Sequence, residues 1–433
     1  MNIFNRKTIT VKIKKCLLAI EDRFPFVGSI LVKIMRYLRY FICYKPLFFI
    51  NKKNKKNKIY YLDPNKIKFI CGPINKKINL LTDRSLVISG NWDLSESRIE
   101  DYFIYKGIRE RFVNGRDWQK TSLYDEAIKV INSGEIFNGC QNKDKLEKYF
   151  QNIDSLYKSI KDLGFFEGYK NNNFKGKSDP FIQGHDEIKI SIGRNGEPLF
   201  LDGIHRLSIA KILKIKKIPV SIIACHSEWA KIEKSILNYS SRLGGTLYQP
   251  AYHFYFNDIP YSYGDERFQL IKNSLDFNSG SVLDIGANIG YFSHRLEGIG
   301  FDCCAVEINP QDIDIMRKLK KINNNKFEII EDSIFNFKKD ETLKYDVVLA
   351  LYIFHHFLKR KKTYEDLVGL LNRIDCKVIF LGTHNPKESQ IEGAYINYDP
   401  EEFVKFVAKN SSLSNYLLIK EFDDGRRLYK IFK

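Results

Sequence analysis

The sequence predicts an α/β protein: a C-terminal half in which strands and helices alternate around one open sheet, preceded by a smaller α+β domain. Three observations carry that expectation. Residues 281–310, SVLDIGANIGYFSHRLEGIGFDCCAVEINP, read as a strand, a glycine turn, a helix, a second strand and an acidic end. The alternation then continues almost to the end of the chain. Upstream, residues 184–229 read as two strands joined by a GRNGEP turn, a helix, and a third strand.

In chain order, residues 1–60 are a basic, aromatic-rich N-terminal region. Residues 61–240 form a domain with a helical N-terminal extension and a core at about 180–229. Residues 241–275 read as a linker, and 276–433 as the C-terminal domain. In the extension, KLEKYFQNIDSLYKSIKDL (143–161) predicts a helix stopped by Gly164, and Trp92 and Trp118 read as core anchors. Arg109, Arg111 and Arg116 suit either a phosphate cluster or an ordinary surface helix. In the core, DGIHR (202–206) opens a helix, either with Asp202 as its N-cap or with His205 and Arg206 offered to phosphate in the first turn. In the C-terminal domain, helices are expected at 310–322 and 367–374. Strands are expected at 327–330, within 344–357 and at 377–384, with a closing antiparallel pair around Asp423-Asp424-Gly425.

At 433 residues, 44% hydrophobic and 14% aromatic, the chain has enough apolar surface for two or three cores. The net charge of +18 fits either a solvated lysine-rich surface or attraction to anions. The eight cysteines form no C-x-x-C pair, which argues against zinc and for reduced thiols in the cytoplasm; no metal site is expected. No secretory signal is legible. Between residues 27 and 50, Lys33, Arg36 and Arg39 interrupt the apolar run, so it is not a spanning helix. With NKKNKKNK (51–58), it suits an anionic membrane surface approached from the inner face, or a packed helix and solvated linker.

The glycine turn is the sharpest chemical signal. Asp284 precedes it, Gly286 and Gly290 flank Asn288 within it, and Glu307 ends the second strand. Glycines let a ligand approach backbone, free N–H groups open the helix, and a carboxylate after the second strand suits two ribose hydroxyls. The spacing is not the G-x-G-x-x-G of dinucleotide binders. DIGANIG followed by Glu307 resembles motif I and its acidic follow-up in class I S-adenosylmethionine-dependent methyltransferases, particularly FkbM-like members. That resemblance implies a Rossmann-like seven-stranded fold over 276–433 and S-adenosylmethionine as cofactor. It implies Asp284, Gly286, Asn288, Gly290 and Glu307 as cofactor contacts, with Asp332 at the adenine. Methyl transfer to a hydroxyl needs a base, for which His356 or His355, after the fourth strand, is expected; His384 follows the fifth.

The 184–229 block resembles the ParB/sulfiredoxin fold, whose members hold nucleotide phosphates with a G-x-H-R-like turn. The resemblance implies Asp202, Gly203, His205 and Arg206 at a phosphate, with ATP and Mg²⁺ as candidate ligands. Ile204 stands where sulfiredoxin has its cysteine. A phosphotransfer reaction would need a base, and Glu187 is the candidate. Bacterial enzymes that join a kinase to a methyltransferase to cap O-polysaccharides offer an analogy for a glycan or other small-molecule acceptor. The alternatives are a methyltransferase with a regulatory nucleotide-binding domain, or one acting on nucleic acid. The last is disfavoured because Ala350-Leu351-Tyr352-Ile353 replaces any N/D-P-P-Y/F motif.

Overall fold

The computed structural model describes residues 58–72, 86–165, 187–388 and 391–433. The membrane-surface expectation for 27–58, Lys58 apart, lies outside the described residues. Among the described residues no helix is long and apolar enough to cross a membrane, and no cluster of metal-ligating side chains occurs. The chain forms two compact units, Met1–Lys231 and Ile232–Lys433.

The first unit is built on a six-stranded mixed sheet. Its strands are β1 (Ile59–Leu62), β2 (Phe69–Ile70), β3 (Leu86–Ile88), β4 (Ile188–Ile192), β5 (Pro198–Asp202) and β6 (Ile218–His226). The order is β1-β6-β4-β5-β2, with β3 also on β6. All nine residues of β6, IPVSIIACH, are buried. A run of β-branched and apolar residues without alternation suits a strand covered on both faces.

Three helices, α1 (Phe103–Phe112), α2 (Ser122–Asn132) and α3 (Lys143–Leu163), share an apolar core that includes Ile108, Trp118, Leu123, Phe150 and Ile153. Gly164, at φ 76°, ends α3 as expected. Arg111 pairs with Asp154 at 3.2 Å and Arg116 reaches Glu110 at 3.8 Å, the arrangement of a surface helix. Helix α4 (Ile204–Ile212) joins this core through Ile209.

The second unit contains α6 (Asp265–Asn273), which follows α5 (Ser227–Arg242) in the chain, and a seven-stranded sheet. Its strands are β7 (Gly280–Ile285), β8 (Phe301–Val306), β9 (Glu328–Ile330), β11 (Val347–Leu351), β13 (Val378–Gly382), β14 (Asn415–Glu421) and β15 (Arg427–Phe432). The order is β14-β15-β13-β11-β7-β8-β9, parallel except for β15. A separate short pair, β10 (Leu343–Lys344) with β12 (Ile374–Asp375), lies beside it in sequence. Between the strands run α7 (Tyr291–Glu297), α8 (Pro310–Asn323), α9 (Lys361–Arg373) and α10 (Pro400–Asn410). Strand β7 is central, and the chain winds first one way to β8 and β9, then the other to β11 and β13. Such a reversal opens a crevice at the carboxyl ends of the strands.

Three expectations gain detail or change. The linker expected at 241–275 contains α6, whose Phe268 and Ile271 are buried with Val282, Phe292 and Phe301 in the sheet core. Helix α9 starts at Lys361 rather than near residue 367; its polar first turn hides the helical period. Asp202 does not cap α4: Gly203, at φ 93°, is the N-cap, without a side-chain bond.

Close packing of α1 on α2 turns on Gly107, where an added Cβ would sit 2.1 Å from the Leu123 Cβ. Gly107→Ala is therefore expected to destabilise the first unit by about 1–3 kcal/mol through overpacking. Urea unfolding of the full chain, followed by tryptophan fluorescence, measures this.

Candidate functional site

The glycine turn links β7 to α7 with Gly286 at φ 70°, Asn288 at 54° and Gly290 at 81°. These left-handed conformations cost an L-residue roughly 1–2 kcal/mol each, and asparagine tolerates them better than most. Space reinforces the choice. A Cβ at Gly286 would meet Ile353 at 2.9 Å, and one at Gly290 would meet Met316 at 2.7 Å.

Glu307, directly after β8, closes the turn. Its Oε2 accepts the Asn288 N–H at 2.8 Å, and its Oε1 accepts those of Ile308 at 2.8 Å and Asn309 at 2.9 Å. Hydrogen bonds to an ionised carboxylate contribute about 1.5–3 kcal/mol each. The Asn288 amide donates to Asp312 Oδ2 at 3.0 Å, and Asn309 donates to the same atom at 3.1 Å. The Tyr239 hydroxyl accepts from Asn288 at 3.3 Å. Burial and the nearby Glu307 push the Asp312 carboxyl up, and burial pushes the Tyr239 hydroxyl up.

Two acceptors here are buried and lack a donor, Asn288 Oδ1 and Asp312 Oδ1. Together with the Glu307 carboxylate they form a buried, acceptor-rich cluster beside the glycine turn. A ribose, which brings two O–H donors, fits that deficit, so the residues present suit an adenosine-containing cofactor. Asp312 was not legible as a site residue. It lies in the first turn of α8, and only the fold turns it toward Asn288.

Other expected contacts do different work. Asp284 is buried and accepts from Ser293 Oγ at 2.7 Å, tying α7 to β7 behind the turn. The expected free N–H groups at the start of α7 are engaged: Gly290 donates to Ala287 and Tyr291 to the Gln249 side chain. Asp332 is exposed after β9 and accepts from Ser333 N–H and the Asn336 amide through one oxygen.

Three histidines gather at the carboxyl ends of β11 and β13. The His355 ring lies 4.1 Å from His356 and 5.3 Å from His384. His355 is 2% exposed, both its ring nitrogens lack partners, and burial with its two histidine neighbours drives its pKa down to about 2. Of the two expected bases, His355 is the enclosed one. His384 is also buried, bonded through Nε2 to Asn397 at 3.0 Å. His356 keeps one edge at the surface, with Nδ1 3.2 Å from Lys359 Nζ, while its ring packs on His355; that partial desolvation, then the ammonium, lower its pKa. Beside the trio, Pro386, Glu388, Ile391 and Asn397 line a cleft of about 320 Å³.

In the first unit, residues 202–206 link β5 to α4. Asp202 pairs with Lys189 across the strands at 3.0 Å. Arg206 folds back so that its Nη2 lies 3.3 Å from where a Gly203 Cβ would be, and Ile188, next to Glu187, borders the same spot. Glu187 accepts from Ser221 Oγ at 2.7 Å. His205 Nε2 is 2.6 Å from the Tyr149 hydroxyl, and burial with the Arg206 charge lowers its pKa to about 4. The histidine at this turn is therefore neutral at physiological pH.

Burial, followed by the Glu307 charge, raises the Asp284 pKa from 3.8 to about 6. The folded state thus holds this proton more tightly than the unfolded chain does. Its stabilising contribution is present below pH 4 and is lost as pH rises to 6. Asp284→Asn, which keeps an acceptor for Ser293, is expected to remove that slope and to be about 1–3 kcal/mol more stable than wild type above pH 6. Denaturant melts across pH 4–7 test the sign.

Residues 257–375 match the model of a family described as a methyltransferase domain. Among curated proteins, the mitochondrial translation factor GUF1 homologue of Plasmodium falciparum (isolate 3D7) is 24% identical over 364 residues, covering 79% of this chain and 30% of that protein. The chain thus spans about a third of the length of this curated relative. Among solved structures, monomeric WbdD is 23% identical with a TM-score of 0.38, over 45% of this chain and 48% of that one. The N-methyltransferase NodS from Bradyrhizobium japonicum WM9 is 15% identical with a TM-score of 0.31, over 39% of this chain and 93% of that one.

Proposed function

We propose that the C-terminal unit, where residues 257–375 match a methyltransferase domain, is a class I S-adenosylmethionine-dependent methyltransferase that transfers a methyl group to an oxygen of a small-molecule or glycan acceptor. The observation that carries the reading is the acceptor-rich cluster beside the glycine turn, where Glu307, Asn288 and Asp312 meet with two buried oxygens lacking donors. S-adenosylmethionine supplies an electrophilic methyl group. Glu307 and Asp312 would hold the ribose hydroxyls, Asp332 would accept from the adenine amino group, and Gly286 and Gly290 would let the cofactor approach the backbone. His356 takes the acceptor proton. Its lowered pKa keeps it neutral and able to accept at physiological pH, once Lys359 moves off Nδ1.

Titration calorimetry tests the cofactor step: Glu307→Ala should weaken S-adenosylmethionine binding about 10–100-fold, and equal affinity would sink the assignment. His356→Asn should lower kcat by about 10²–10⁴ with cofactor affinity unchanged. The wild-type acid limb of kcat should fall below pH 6.5, the ordinary histidine value, because the shift is downward.

We further propose a nucleotide site in the other unit. A neutral His205 beside Arg206 at a glycine-capped helix start suits the phosphates of ATP carrying Mg²⁺, with Asp202 and Gly203 shaping the turn and Glu187 as candidate base. A regulatory nucleotide site uses the same residues without transfer. Arg206→Ala should abolish ATP binding and any transfer of labelled γ-phosphate. Nucleotide binding without label in any acceptor supports the regulatory version.

A further inference from the structure

Arg267, in the first turn of α6, is only 4% exposed. Its guanidinium lies 3.8 Å from the Tyr263 ring, 4.4 Å from Tyr352 and 4.3 Å from Phe422. Among the described residues no carboxylate pairs with it, and its Nε is sealed from solvent without an acceptor. The hydroxyl of Tyr352 is likewise buried, with the Arg267 guanidinium as its polar neighbour and its own proton free to be donated. A second arginine shares the rings: Arg426 lies 5.1 Å from Tyr263 and 5.3 Å from Tyr352. Its charge is already matched, by Glu388 at 2.8 and 3.0 Å and by Asp424 at 3.8 Å. Its Nη1 also donates to the Tyr263 hydroxyl at 2.6 Å. One buried and one half-buried cation therefore share an aromatic cluster, and among the described residues the buried one has no counter-charge.

Burying a guanidinium without a carboxylate is costly, and contacts with ring faces return only part of that cost. Such a cation is more simply explained if a ligand brings the missing anion. The location supports this. Tyr352 directly follows central strand β11, held at φ 59°, and the next residue, Ile353, is the one a Cβ at Gly286 would strike. The Tyr352 ring itself lies against Gly382, the last residue of β13, so the cluster sits at the carboxyl ends of β11 and β13.

We propose that Arg267 and the Tyr352 hydroxyl form an oxyanion-binding subsite of the methyl-transfer site, taking one carboxylate or phosphate group. Arg267 donates from its guanidinium, Tyr352 adds an O–H donor, and the Arg426–Glu388 pair fixes the Tyr263 ring against which Arg267 lies. Its place beside the cofactor rests on the reading of the glycine turn given above; its affinity for an anion does not. The anion has two possible sources with the same chemistry, the amino-acid carboxylate of the cofactor or an acidic group on the acceptor.

Calorimetry on the full chain separates the sources, comparing wild type, Arg267→Met and the milder Tyr352→Phe. The probes are S-adenosylmethionine, its decarboxylated analogue and inorganic phosphate. If the cofactor carries the anion, wild type prefers S-adenosylmethionine to the decarboxylated analogue by about 10–100-fold, and Arg267→Met erases the preference. If the acceptor carries it, both cofactor forms bind alike in every protein, while phosphate binds wild type and is lost in Arg267→Met and weakened in Tyr352→Phe. Should Arg267→Met fail to fold, Tyr352→Phe decides between the same outcomes at smaller amplitude. Variants that match wild type toward all three probes would overturn the subsite. A wild type that binds phosphate through Arg267 but not S-adenosylmethionine would overturn the methyltransferase reading and leave the subsite standing.

Discussion

The Glu307 carboxylate holds three backbone N–H groups, those of Asn288, Ile308 and Asn309. The first belongs to the loop after β7 and the other two to the loop after β8, so one side chain clamps the carboxyl ends of adjacent strands. The clamp works only because Gly286, Asn288 and Gly290 adopt left-handed backbone conformations that turn the Asn288 N–H toward it. Everything placed around that turn inherits its geometry: the Asn288 amide against Asp312, Ile353 over Gly286, and Ser293 on the buried Asp284.

The second unit concentrates unusual electrostatics at one end of its sheet. Asp284, Asp312, His355 and Arg267 are all buried. Burial favours the neutral form of the carboxyls and imidazole, which can answer by holding or shedding a proton. Arginine has no such escape, since its guanidinium stays protonated. Charges of this kind are expensive in a protein interior, and their gathering at the carboxyl ends of the strands fits the place where open parallel sheets bind ligands. The first unit keeps one related arrangement, in which a neutral His205 is bonded to Tyr149 beside Arg206.

The histidines show why a motif read along the chain is only a short list. His355 and His356 are neighbours of identical type, yet the 3-10 turn after β11 buries the first and exposes the second. His384, from a different strand, packs within 5.3 Å of His355 and completes a group that no local spacing announces. Arg426 and Arg267 are likewise far apart in sequence but share Tyr263 and Tyr352.

Local chemistry in the sequence was enough for the alternating strands and helices of the second unit, the glycine turn and the acid that ends β8. Each rests on interactions within a few residues: apolar runs for buried parallel strands, glycines where φ is positive, and a carboxylate beside its own N–H groups. The core strands of the first unit were legible for the same reason. Tertiary structure alone decided that α6, within residues 241–275, packs into the second unit's core and that Asp284 braces α7 from behind the turn. It also decided that Asp312 joins Glu307 and that Arg267 lies buried without a counter-charge among the described residues. Those outcomes depend on which distant surfaces meet, and burial and charge pairing are properties of the meeting rather than of any one segment.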